Sequence, residues 1–292
     1  MSLTSAMSSE MQEPKLEQTA RLTADRDEVK YLLPATEATA FIQNIAERLS
    51  PHRYRDARVT ADPPAEQYAT TVYFDTAGNE LYRAAVTEPM HVKVRAREYY
   101  DPQHDRAHPV ANGYDLLQSG RVIWIELKVR DGQRSRKRRV CIAKLDAQRL
   151  LCQLDIATDL RDVQAVGDAD THVHEIATEL EELRARLRGP LQPSCVVNYR
   201  RLSWQDSGSA LRITLDRDVC AFVPPTDLWT RNAVLTRQAL GRAAFEESCC
   251  VLEVKSRGAL PAWLQPVLEQ HRTTEVSYSK FVMASRAVHG PV

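Results

Sequence analysis

Lys93, Arg95 and Arg97 occupy every second position in His91-Val92-Lys93-Val94-Arg95-Ala96-Arg97-Glu98-Tyr99. Side chains on a β-strand alternate between faces with period two. His91, Lys93, Arg95, Arg97 and Tyr99 therefore share one face, and Val92, Val94 and Ala96 the other. A row of like charges repels itself and costs stability unless an anion lies along it. Arginine clamps phosphate oxygens bidentately and lysine acts as a point charge, so the chemistry such a row suits is the holding of a polyanion. The device recurs. Glu126, Lys128 and Arg130 alternate with Ile125, Leu127 and Val129, and Glu253 and Lys255 alternate with Leu252 and Val254. One charged strand face is as readily a solvated one. Recurrence over several strands, basic with a few carboxylates, points instead to a closed barrel lined by cations that holds a polyanion with a metal.

The elements that must carry these side chains follow in chain order. Arg26 to Leu33 reads as a strand with Arg26, Glu28 and Lys30 on one face. Pro34 and Thr36 open a helix to about Leu49, with Phe41, Ile42, Ile45 and Leu49 at helical spacing. A strand over Thr70 to Thr76 ends in the turn Ala77-Gly78-Asn79, and the basic strand follows. From Asp101 to Gly120 the chain is polar. His104 and His108 there read as solvated loop histidines rather than metal ligands. Val122 to Val129 closes on Asp131-Gly132, a hairpin signal. The return strand from Arg134 to Ile142 is basic on both faces. It is either an edge blunted by charge or a strand with Lys137 and Arg139 turned inward. Helices are expected over Lys144 to about Leu154 and Val173 to Leu187. Strands resume over Ser194 to Trp204, where Tyr199 and Arg201 share a face, and over Leu211 to Asp216, where Arg212, Thr214 and Asp216 do. Phe222 to Phe245 is a polar excursion without an assignment. The strand Val251 to Lys255, a helix from Pro261 to His271 and a short helix from Ser277 to Ala284 complete the chain. Residues 1–23 read as a disordered leader, 24–286 as one α+β domain dominated by antiparallel strands, and 287–292 as a tail.

Composition bounds the partners. The 292 residues carry Lys+Arg 39 against Asp+Glu 39, a formal net charge of zero. No global basic excess points to nucleic acid, so an anion site must come from local segregation of charge. Six cysteines lack the paired spacing of a zinc site and read as buried free thiols in a reducing cytosol. No apolar run approaches the roughly 20 residues of a membrane span, and no secretory signal opens the chain. The expectation is a cytoplasmic protein with no membrane attachment of its own.

Arg26-x-Glu28-x-Lys30-Tyr31 resembles the opening strand of the triphosphate tunnel metalloenzymes, the superfamily that includes the CYTH proteins. More closely, the chain resembles the VTC domain, its polyphosphate-polymerase branch. The pieces are Tyr73-Phe74-Asp75-Thr76, Lys93-Val94-Arg95-Ala96-Arg97, Glu126-Leu127-Lys128, Lys137-Arg138-Arg139, Tyr199-Arg200-Arg201, Arg212-Ile213-Thr214-Leu215-Asp216, Leu252-Glu253-Val254-Lys255 and Ser279-Lys280-Phe281. They run in order over about Arg26 to Ala284. The resemblance implies an eight-stranded antiparallel β tunnel, a barrel with flanking helices. It also implies a divalent metal, Mn²⁺ or Mg²⁺, and transfer of the γ-phosphate of ATP onto a polyphosphate chain.

Carried over by motif, Lys93, Arg95, Lys128 and Arg212 are the catalytic cations. Lys30, Arg97, Lys137, Arg139, Tyr199, Arg201, Lys255 and Lys280 bind substrate, and Lys280 closes one mouth. Glu253 holds the metal. Glu28 and Glu126 are further metal candidates; with Asp216 they face inward by parity, and each is either a metal or water ligand or an ion-pairing group that orients lysines. Where the family often has a second basic residue three positions before Lys280, this chain has Ser277. The implied partners are ATP, triphosphate and polyphosphate, with room for a protein partner. Tripolyphosphate or nucleoside triphosphate hydrolysis, and binding without catalysis, are the alternatives. Because a cation-lined face repels itself, removing Arg95 or Arg212 is expected to cost the unliganded protein no stability.

Overall fold

The computed structural model describes residues 27–52, 66–100, 122–132, 134–152, 170–208, 210–231 and 233–292. Arg26, His104, His108 and the expected leader lie outside them. Eight long strands carry the fold: β1 (Asp27–Pro34), β3 (Glu66–Asp75), β4 (Met90–Tyr100), β5 (Val122–Asp131), β6 (Arg134–Ala143), β7 (Gln192–Gln205), β8 (Leu211–Phe222) and β10 (Cys249–Ser256). Two-residue strands are added by β2 (Ser50–Pro51), β9 (Phe245–Glu246) and β11 (Thr274–Glu275). The ladder runs β11-β1-β10-β8-β7-β3-β4-β5-β6, with β2 on β7 and β9 on β8. Every pairing is antiparallel.

The expected barrel is corrected in one respect. Among the described residues no hydrogen-bonded pairing joins β6 back to β1, so the sheet is not closed. It is strongly curled all the same. Strands β1 and β4 are five steps apart in the ladder, about 24 Å in a flat sheet at roughly 4.8 Å per strand. Yet Lys30 on β1 donates to the Tyr278 carbonyl at 2.9 Å, and Lys93 on β4 donates to Ser279 Oγ at 3.0 Å. Two adjacent residues receive ammonium groups from both walls. Only a concave sheet allows that.

Apolar alternation places the cores outside the curl. The outer faces of β3 to β7 pack on α3 (Lys144–Cys152) and α4 (Asp170–Arg184), around Phe74, Ile125, Ile142 and Leu180. Helix α7 (Lys280–His289) lies instead over the concave face, with Phe281 against Tyr73 and Ser285 against Cys195, and α2 (Glu80–Thr87) meets it through Tyr82. A second core joins β1, β8, β10 and the end of β7 to α1 (Ala38–Ala46) and α6 (Leu264–Gln270), around Phe41, Ile213, Leu252 and Leu264. Gly132 closes the β5–β6 hairpin at φ +55°, a conformation that costs glycine little.

Three differences from the expected elements have local causes. Strand β8 runs six residues past Asp216, to Phe222. Helix α2 follows a turn signal and is only eight residues long; the Asp75 carboxylate starts it, accepting from the backbone N–H groups of Leu81 and Tyr82 at 2.8 Å each. The excursion after Phe222 contains α5 (Arg237–Leu240) and is strapped to the outer sheet face. Thr70 Oγ1 donates to the Leu235 carbonyl at 2.6 Å, Glu98 Oε2 accepts from Leu235 N at 2.9 Å, and Tyr100 Oη accepts from Arg237 N at 2.9 Å.

Candidate functional site on the concave face

Residues directly opposite one another in an antiparallel pair share a face. The register therefore settles which side chains lie inside the curl. Lys30 stands opposite Glu253 and Glu28 opposite Lys255; Lys255 stands opposite Arg212, and Glu253 opposite Thr214. Across the next pairings Arg201 meets Asp216, Ser203 meets Thr214, Tyr73 meets Arg95, Lys93 meets Lys128, Arg95 meets Glu126, Lys128 meets Lys137 and Glu126 meets Arg139. Lys137 and Arg139 thus share the face of Lys128 and Glu126. Their neighbours Arg136 and Arg138 pair with Glu179 and Glu175 of α4 on the other side.

Glu126 is the most heavily engaged carboxylate of this face, 1% exposed. Arg95 Nε lies 2.6 Å from Oε2 and Arg97 Nη1 3.7 Å, and Lys137 pairs with Oε1. Burial alone raises a carboxyl, but Arg95, Lys137 and Arg97 together hold Glu126 well below the usual range. Arg97 also donates to Thr71 Oγ1 and Tyr99 Oη, at 3.0 and 3.2 Å. Arg139 lies over the Trp124 ring, 4.6 Å from its centroid.

Asp216 anchors a second group. Arg201 forks onto both of its oxygens at 2.6 and 2.7 Å, and Lys280, at the first turn of α7, lies 2.6 Å from Oδ2. Both cations also lie over the Tyr199 ring, at 5.1 and 4.9 Å from its centroid. Burial raises the Tyr199 hydroxyl, yet Arg201 and Arg97 bring it below the usual value. The Ser279 hydroxyl accepts from Val282 N at 3.4 Å and so starts α7, which brings Lys280 to this point.

The third group mixes signs. Lys255 Nζ lies 2.6 Å from Glu253 Oε1 and 3.2 Å from Glu28 Oε2, and Lys30 Nζ lies 3.2 Å from Glu28 Oε1. Beside them, Ser203 Oγ, Thr214 Oγ1 and Arg212 Nε are buried without a hydrogen-bond partner among the described residues. Such orphans cost free energy unless something satisfies them. No three His, Cys, Asp or Glu side chains converge as a metal cluster among the described residues. Two carboxylates with neutral hydroxyl oxygens beside them nevertheless fit a hard divalent cation, which takes one or two carboxylates and completes its shell with phosphate oxygens and water.

Lys93 and Lys128 are the contrast, since no carboxylate pairs with either among the described residues. Burial, then Lys128, Lys30, Arg95 and Arg130, bring the Lys93 ammonium down to about 7. Burial likewise pushes Lys128 down, partly offset by Glu28. The curl thus brings the strand-borne candidates onto one face, and Lys280 reaches it from α7. Ser203, Thr214 and the Tyr278–Ser279 segment were given no site role from sequence. The two hydroxyls share strand parity with Arg201 and Arg212, and that was the available signal.

A family model described as the VTC domain matches residues 25–289. No curated protein matches. Solved structures resemble the chain loosely. The PH1819 protein of Pyrococcus horikoshii OT3 is 9% identical over 89% of this chain and 97% of its own, with TM-score 0.38. A Bacillus halodurans protein provisionally described as an adenylate cyclase is 11% identical over 88% and 96%, with TM-score 0.43. The Schizosaccharomyces pombe Mediator head module is 9% identical over 85% and 89%, with TM-score 0.37.

Proposed function

This chain belongs to the VTC domain family, and we propose that its concave face takes up the triphosphate of ATP and transfers the γ-phosphate to a polyphosphate chain. The observation that carries the reading is that Lys93, Lys128 and Arg212 face inward with no carboxylate partner among the described residues, the Nε of Arg212 being buried and unpartnered there. Uncompensated cations on a curled wall are stable only beside an anion of high charge density.

Phosphoryl transfer asks the protein mainly to position reactants and to stabilise charge on the equatorial oxygens. Arg212 offers a fork to two phosphate oxygens, and Lys93 and Lys128 act as point charges on their neighbours. Arg95, Arg97 and Arg201 are already oriented by Glu126 and Asp216, so they meet a ligand without first losing rotamer freedom. Glu253, with Glu28 beside it, would hold the Mn²⁺ or Mg²⁺. That ion would supply positive charge shared between phosphate oxygens. Lys280 and the Tyr278 carbonyl mark the place where the helical segment covers the face. The balanced net charge argues against nucleic acid as the partner. Among the described residues no helix is long and apolar enough to cross a membrane. All six cysteines are free, which supports a reducing compartment such as the cytoplasm.

The test is incubation of the purified protein with ATP and Mn²⁺, reading both chain-length distribution and free phosphate. Growing chains support the polymerase. Free phosphate without chains makes the protein a hydrolase, and tripolyphosphate binding with neither product makes it a binding module. Absence of binding overturns the whole reading.

A further inference from the structure

The Glu28–Glu253 step holds a cation already, the ammonium of its own Lys255. Lys255 Nζ lies between Glu253 Oε1 at 2.6 Å and Glu28 Oε2 at 3.2 Å. The two carboxylates come from adjacent strands, and Lys255 is the register partner of Glu28. On the other side of Glu253 the register places Thr214, and beyond it Ser203. Their hydroxyls are buried, the residues 3% and 4% exposed, and neither oxygen has a partner among the described residues. Two carboxylates alone are an ion-pair network. Two carboxylates beside two unsatisfied hydroxyl oxygens are the donors of a cation site.

We infer that Lys255 is a resident occupant of the metal seat, that a divalent cation must displace it, and that Ser203 and Thr214 complete the seat as neutral oxygen donors, directly or through bound water. This rests on the reading of the concave face as a triphosphate site. A hard divalent cation approaches carboxylate oxygens to about 2.0–2.6 Å. It cannot share Glu253 Oε1 with an ammonium already there, because the two positive charges repel at close range. Lys255 therefore has to swing away on its four-carbon stem. An incoming triphosphate gives it somewhere to go. Metal and triphosphate then bind cooperatively, and metal alone binds weakly. The linkage is reciprocal: whatever factor the anion adds to metal affinity, the metal adds to anion affinity.

The experiment titrates Mn²⁺ alone, without any phosphate, and follows free Mn²⁺ by electron paramagnetic resonance. Lys255→Met removes the competing ammonium and should bind Mn²⁺ about tenfold tighter than wild type or more, the equivalent of one charge-assisted bond no longer displaced. Lys255→Arg keeps the charge and should stay near wild type. In the Lys255→Met background, Ser203→Ala with Thr214→Val should take back part of the gain, and Glu253→Gln all of it. Thermal melts establish that each variant is folded. Should Lys255→Met not fold, Lys255→Gln reads the same quantity with its amide still able to donate to Glu253. Thr214→Val in the wild-type background should melt no lower than wild type, because it deletes an unsatisfied hydroxyl; a structural threonine predicts a loss. Folded Lys255→Met or Lys255→Gln protein with unchanged or weaker Mn²⁺ binding overturns the inference. Tripolyphosphate binding to wild type in chelator is measured in parallel. If it is intact, only the seat is wrong; if it is absent, the triphosphate reading fails first.

Discussion

Lys93 and Lys128 on β4 and β5, and Lys30 and Lys255 on β1 and β10, are the same side-chain type in opposite electrostatic company. Lys30 and Lys255 each lie within 3.2 Å of a carboxylate. Lys93 has a serine hydroxyl, and Lys128 has no ion pair among the described residues. Burial and neighbouring cations push Lys93 and Lys128 down, while burial against Lys255 is outweighed by Glu253 and Glu28, which leave it raised. A cation lined up with a carboxylate is part of the scaffold until something displaces it. A cation without one is held in readiness for an anion. The partner decides the role, and the residue type does not.

Glu126 gives the largest test of that division. It neutralises the half-buried Arg95, the buried Arg97, and Lys137. Removing one partner of a buried pair typically costs about 3–5 kcal/mol. Glu126→Gln should therefore lower the thermal midpoint by on the order of 10 °C, at roughly 2–4 °C per kcal/mol for a large domain. Arg95→Ala should also destabilise, by less, because Arg97 and Lys137 still face the carboxylate. A Glu126→Gln variant that melts with wild type would show that the pairing carries no stability, and the contrast between the walls would collapse.

Arg212 and Lys128 test the other side. Arg212→Ala removes a fork worth roughly 1.5–3 kcal/mol of charge-assisted bonding to a phosphate. Tripolyphosphate affinity by calorimetry should fall about tenfold or more, with no loss of thermal midpoint in the free protein. Lys128→Met should melt slightly higher than wild type when unliganded and gain less from tripolyphosphate. If both variants melt well below wild type and the ligand stabilises them as much as wild type, these cations are structural and the anion binds elsewhere.

The strand parity of these residues was legible in the sequence, because period-two alternation depends only on local backbone geometry. Their partners were not. From sequence Arg95 and Arg212 are two inward arginines with one expected behaviour. The structure separates them, since Arg95 stands in register with Glu126 while Arg212 Nε has no acceptor among the described residues. That distinction needs strands 31 positions apart to meet in a given register. The strap after Phe222 was opaque for the same reason. Leu235 is bound by Thr70 and Glu98, 165 and 137 positions away, so no local pattern marks it. Helix α2 escaped because eight residues after a turn signal hold only two turns of periodicity, and Asp75 starts it from the end of a strand. The curl itself was readable only as a consequence of charge. A face of cations must enclose something, but the sequence does not say whether hydrogen bonds close the sheet around it.

The smallest effect falls on Lys93 and concerns protons. Lys93 is brought down to about 7 by burial and by Lys128, Lys30, Arg95 and Arg130, and it donates to the Ser279 hydroxyl. An unfolded lysine titrates near 10.4. Between those values the unfolded chain holds a proton that the folded protein has shed. Stability from this group therefore rises with pH across that window and is constant below it, where both states are charged. Wild type should gain stability relative to Lys93→Met on going from pH 7 to pH 9, as read by denaturant melts of the two proteins. Binding runs the other way. A polyanion beside the amine restores its charge, so tripolyphosphate binding above pH 7 takes up a fraction of a proton, and affinity falls as pH rises. Calorimetry in two buffers of different ionisation enthalpy measures that uptake directly. Lys93→Met should lose it, while Lys255→Met, which removes a lysine already charged, should retain it. Equal proton uptake in wild type and Lys93→Met would place the missing proton on another group. An unpaired lysine on β4 would then behave no differently from a paired one on β10.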